Sequence, residues 1–90
     1  MAKLKFDRAF EVVLNPQEVI TVPKDEVWSF WLHNGAELFI NDSVASGTGP
    51  KTWVRTILTG GAKIKNCNKN DWVESKNTAS VLVFKVVENV

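Results

Sequence analysis

One histidine, one cysteine, five serines and no tyrosine are what this 90-residue chain offers for acid–base or nucleophilic chemistry. His33 stands just before an Asn34-Gly35 dipeptide. To act as a general base it needs a serine or cysteine beside it in space, and no spacing motif supplies one. The simpler reading is an edge or surface histidine. Cys67 lies in the polar run Asn66 to Asn70. Lys63, Lys65 and Lys69 could activate it electrostatically, but a plain exposed or half-buried thiol accounts for it. Asn41-Asp42-Ser43 could offer oxygens to calcium, yet the EF-hand spacing and a second carboxylate are missing, so it reads as a turn. Gly60-Gly61 ahead of Lys63 lacks the Walker spacing and its Ser/Thr, and reads as a glycine turn. The expectation is a non-enzymatic chain with no catalytic residue, no metal site and no cofactor.

The four tryptophans, Trp28, Trp31, Trp53 and Trp72, are the informative excess. They could fill a thin core, form a stacking platform for sugars or bases, or anchor a protein interface. Trp53 and Trp72, with Lys63 and Lys65, mark one candidate ligand or partner surface. Asp71 and Glu74 interrupt the basic residues there, so the surface resembles an oligonucleotide site in composition only.

The elements that must position these residues are strands. Thirteen Val, four Ile and six Thr, with nine Phe or Trp, suit pleated and half-buried surfaces. The pattern predicts an all-β domain over residues 1–90, a small β-sandwich or jelly-roll-like barrel of about seven or eight short strands. From Leu4 to Leu14 a period of two runs along the chain, with Arg8 breaking the apolar phase as a bulge, or the break between two strands, would. Further strands are expected at Val19–Val22, Val27–His33, Ala36–Ile40, Thr52–Leu58, Lys63–Lys65, Trp72–Glu74 and Ala79–Val87, with a loop over Asn41–Lys51. Asn34-Gly35 predicts a two-residue hairpin joining Val27–His33 to the strand ending at Ile40. The apolar phases predict a shared core of Phe6, Phe10, Trp28, Phe30, Leu32, Leu82 and Phe84. Trp31 then falls on the opposite face and needs a second burial site, either another sheet or another subunit. Trp31, His33, Val81, Val83 and Val87 are accordingly the candidate oligomer interface, because a domain this small scarcely fills two cores.

Eleven basic and ten acidic residues give a formal charge of +1, which argues against a nucleic-acid partner. No apolar run reaches the ~20 residues of a membrane span, and the opening Met-Ala-Lys-Leu-Lys lacks the apolar stretch of a signal peptide. The single cysteine excludes an internal disulfide.

Four segments carry a resemblance: Val22-Pro23-Lys24-Asp25-Glu26-Val27-Trp28, Leu38-Phe39-Ile40-Asn41, Thr56-Ile57-Leu58-Thr59-Gly60-Gly61-Ala62-Lys63-Ile64, and Val83-Phe84-Lys85-Val86-Val87-Glu88. Together they resemble small β-domains in structural proteins of tailed bacteriophages: head fibres, capsid decoration proteins and receptor-binding appendages. The resemblance implies a virion component made in the host cytoplasm, acting by self-assembly and docking onto other virion proteins. It implies a homo-oligomer, a trimer in the first instance, with a host-surface glycan as a further partner. A carbohydrate-binding module using an exposed tryptophan is the alternative.

Overall fold

The period-two segments become strands in the computed structural model, which describes residues 2–34, 37–46, 54–69 and 75–88. Among these residues eight strands form: β1 Ala2–Leu14, β2 Val19–Thr21, β3 Glu26–Asn34, β4 Leu38–Ile40, β5 Ser43–Ser46, β6 Val54–Leu58, β7 Lys63–Asn66 and β8 Asn77–Glu88. They build two antiparallel four-stranded sheets, ordered β1-β8-β3-β6 and β2-β7-β4-β5. The architecture is a small β-sandwich. β1 and β8 are long, however, and the molecule extends 49 Å along its major axis.

The expected Asn34-Gly35 hairpin does not form. β3 and β4 lie in different sheets, and both edges of β3 are taken by β8 and β6. Long-range pairing at a central strand outweighs the local turn preference. The two-residue hairpin lies instead at Asn41-Asp42, the turn expected there, and joins β4 to β5, a strand inside the stretch Asn41–Lys51 expected to be a loop. Both turn residues have positive φ, 49° and 65°. That is the backbone a primed hairpin turn requires, and Asn and Asp tolerate it. The strand expected at Trp72–Glu74 lies outside the described residues.

The core lies between the sheets. Trp28, Phe30 and Leu32 of β3 enter it, with Leu38 and Ile64 opposing from the second sheet and Val22 sealing one side. Two assignments from strand phase need correction. On β8 the buried set is Ala79, Val81 and Val83, whereas Leu82 is exposed and Phe84 half-buried. The register explains the choice. Val83, Val81 and Ala79 stand beside Trp28, Phe30 and Leu32, so small side chains fill the room left by large ones. Leu82 and Phe84 in those places would overpack the core. Val81 and Val83 therefore belong to the intramolecular core rather than to a subunit interface. On β1 the register shifts between Phe6 and Arg8. The extra residue, Asp7, flips the parity of the strand. Phe10 stays against the core, while Phe6 pairs with Phe84 on the far side and is exposed.

The Gly60-Gly61 turn closes against Pro23-Lys24. Gly61 donates to the Val22 carbonyl and Val22 donates to that of Ala62, both at 2.8 Å. Gly61 has φ +91°, and a Cβ on Gly60 would collide with the Lys24 carbonyl oxygen. At the other end Asn66, expected in an exposed run, is fully buried. Its amide donates to the carbonyls of Leu14 (2.8 Å) and Ser75 (2.6 Å), tying β7 to the end of β1 and the start of β8.

Candidate functional site

The outer face of the β1-β8-β3-β6 sheet collects side chains that the core does not use. Strand alternation and the register arrange them in rows across the strands. One row reads Glu11, Ser80, Trp31, Arg55, from edge strand β1 to edge strand β6. The next reads Ala9, Leu82, Ser29, Ile57, and the third Phe6, Phe84, Val27. Leu4 and Val86 continue the face along the β1–β8 ribbon. Leu4, Phe6, Val13, Ile57, Leu82 and Val86 all belong to it, and each is at least 38% exposed. Exposed apolar side chains are ordinary singly, but a contiguous set on one sheet face marks a contact surface.

The polar row is held together. Ser80 Oγ donates to Glu11 Oε1 at 2.7 Å and also bonds His33 Nε2. The Arg55 guanidinium lies 4.1 Å from the centre of the Trp31 ring, and the His33 ring tilts against that same tryptophan with centroids 4.7 Å apart. Ser29, Trp31, Arg55, Ile57, Ser80 and Leu82 line an open groove of about 580 Å³. At the apolar end Phe6 and Phe84 meet edge to face, with centroids 5.7 Å apart.

A serine, a histidine and a carboxylate in one chain of hydrogen bonds invite comparison with nucleophilic catalysis. The order is wrong for it. A nucleophile needs carboxylate, then histidine, then serine, so that the imidazole takes the hydroxyl proton. Here the serine stands in the middle and gives its proton to Glu11. Ser80 also lies mid-strand between β1 and β3, where neighbouring N–H groups serve the ladder rather than an oxyanion. What this row can do is present a fixed carboxylate at one side and a fixed guanidinium at the other.

The reverse side of the same sheet end holds a second polar cluster. Glu26 is buried, 3% exposed. Its carboxylate accepts from Lys85 Nζ and Trp28 Nε1, both at 2.8 Å, and from Arg8 at 3.3 Å. The Lys85 and Trp28 hydrogen bonds, followed by Arg8, hold the carboxyl down to about 2 against burial. The same contact raises Lys85. This cluster secures the sheet.

The structure separates the residues singled out by sequence. Trp31 and His33 lie on the outer face just described. Val81 and Val83 are in the core, and Val87 is exposed on the opposite phase of β8, across from Lys3. Lys63 and Lys65 lie on the outer face of the other sheet, where they border a groove with Val19, Phe39, Asp42 and Cys67. Trp53 and Trp72 lie outside the described residues. Sequence reasoning missed Glu11, Ser80, Arg55 and Ile57 as members of one face. Their kinship is a matter of register between strands far apart in the chain, and the only local signal was Arg8 breaking the β1 pattern. No protein-family model, curated protein or solved structure matches this chain.

Proposed function

We propose that the chain is a structural domain of a bacteriophage virion, a capsid-decorating, head-fibre or tail-appendage component, and that it works by docking and self-association rather than by chemistry. The observation that carries the docking is the outer face of the β1-β8-β3-β6 sheet, apolar from Leu4 to Ile57 and exposed. The phage assignment rests on the resemblance of the four segments. Two of these, Val22–Trp28 and Thr56–Ile64, lock against each other at the Gly60-Gly61 turn. The alternative is glycan binding at Trp31, which has hydroxyl, imidazole and carboxylate groups around it. Against that reading, Arg55 already stacks on the Trp31 ring.

Light scattering of the purified chain tests the docking reading. The wild type runs as an oligomer, and Ile57→Asp runs as a monomer with an unchanged β spectrum. A wild type that stays monomeric at high concentration and binds a glycan array overturns it in favour of the alternative. Immunogold labelling of virions from the encoding host tests the phage assignment, and unlabelled particles overturn it.

A further inference from the structure

The outer face is complementary to itself. The strand order β1-β8-β3-β6 has its midline between β8 and β3. A two-fold axis along that midline, lying in the plane between two facing sheets, sets β1 of one copy over β6 of the other, and β8 over β3. Row by row, Glu11 then meets Arg55 of the second copy, and Ser80 meets Trp31. Ala9 meets Ile57, Leu82 meets Ser29, and Phe84 meets Val27. The charged row brings opposite signs together twice, and the next row sets Ala9 on Ile57, while Leu4 and Phe6 extend beyond the end of β6 and Val86 beyond that of β3. Among the described residues no carboxylate pairs with Arg55 and no cation pairs with Glu11. Their side chains already fold toward the midline, Glu11 onto Ser80 and Arg55 onto Trp31.

We propose that the occupant of this face is a second copy of the chain, in an isologous two-fold dimer locked by two Glu11–Arg55 ion pairs. The proposal rests on the docking reading above and names its partner. It replaces the trimer implied by resemblance, because a three-fold ring needs two different patches whereas here one patch matches itself. The overlap is compact. Four strands with their side chains span about 20 Å, and β6 runs about 17 Å. Four strands thus face four over on the order of 350 Å² per copy, less than half the ~800 Å² of a standard interface, and the two ion pairs must set the register. Two twisted sheets pack in this way about 10 Å apart with strands nearly aligned. Each Arg55 guanidinium, held 4.1 Å from the Trp31 ring centre, has less rotamer freedom left to lose when it meets the incoming carboxylate. A foreign partner would have to reproduce the same acid-to-base order in reverse, and a second copy does so by symmetry.

The test is a charge swap read by sedimentation equilibrium, with circular dichroism and melting to show that each variant folds. Glu11→Arg places arginine against arginine twice, and Arg55→Glu places glutamate against glutamate twice. Each variant alone is expected to dimerise about a hundredfold more weakly than wild type. Mixed in equal amounts they form a heterodimer in which both contacts are again of opposite sign, with affinity near wild type. The double variant, Glu11→Arg with Arg55→Glu, likewise dimerises. If the wild type self-associates but the single variants do so as tightly, or their mixture fails to pair, the two-fold register is overturned while the docking reading stands. A wild-type trimer has the same meaning. A monomeric wild type removes both.

Discussion

Glu26→Gln isolates the contribution of one buried charge. The substitution leaves a carbonyl oxygen for the Trp28 indole N–H but removes the charge that Lys85 and Arg8 face. In the folded chain the carboxyl is brought from 4.5 to about 2, with the Lys85 hydrogen bond the largest cause and those of Trp28 and Arg8 following. A depression of that size corresponds to about 3 kcal/mol of stability at neutral pH. The Lys85 and Arg8 side chains are 36% and 46% exposed, so solvent screening brings the expected loss to about 2 kcal/mol. The pH dependence follows from the sign. The folded value lies below the unfolded one, so the stabilisation is complete above 4.5 and is lost as pH falls toward 2. Urea unfolding followed by tryptophan fluorescence measures it. Wild type should exceed Glu26→Gln by about 2 kcal/mol at pH 7, and most of that difference should be gone by about pH 2.5. An equal gap at both pH values would show that Glu26 acts through shape and hydrogen bonding, and the argument from its ionised form would be refuted.

Phe30→Ala should cost about 3–5 kcal/mol in the same assay, while Phe6→Ala should cost under about 1 kcal/mol, since one ring is in the core and the other on the outer face. Gly60→Ala should lower stability by about 2 kcal/mol or more, read as a fall in melting temperature, because the new methyl meets the Lys24 backbone, which has no flexible end to swing aside. Asn77 is 1% exposed, and among the described residues its amide finds no hydrogen-bond partner. Asn77→Leu should therefore raise the urea midpoint, by about 1 kcal/mol in stability, and a lowered midpoint would show that the amide is satisfied by a trapped water.

The all-β class and the positions of β1, β3, β7 and β8 were legible because period-two patterning is local. So was an irregularity at Arg8, which interrupts an otherwise regular phase, though only the pairing with β8 decides for a bulge over a break between two strands. The pairing of strands was not. Asn34-Gly35 looks like a hairpin only while β3 is imagined to have a free edge, and β8, more than forty residues away, occupies that edge. The β8 phase failed for a related reason. Leu82 and Phe84 are the more apolar set by size, yet beside Trp28 and Phe30 the core has room only for Val81 and Val83. On the candidate face, Trp31 was legible because alternation alone sets it against Trp28 and Phe30. Glu11, Ser80 and Arg55 joined it only through register, which no single segment encodes.

The position of β8 also governs how the fold can be reached. It runs through the interior of its sheet, with β1 on one side and β3 on the other, and its register reaches from Ala2 opposite Glu88 to Leu14 opposite Asn77. Neither β1 nor β3 has that neighbour until residues 77–88 leave the ribosome. Until then β1 waits without a ladder and β3 has only β6 beside it, leaving their other edges open to other nascent chains. Such late, long-distance pairing places the domain among slow folders, in milliseconds to seconds rather than microseconds. Asp7 and the lysines at positions 3 and 5 along exposed β1 are the kind of residues that keep a waiting strand from pairing with the wrong one.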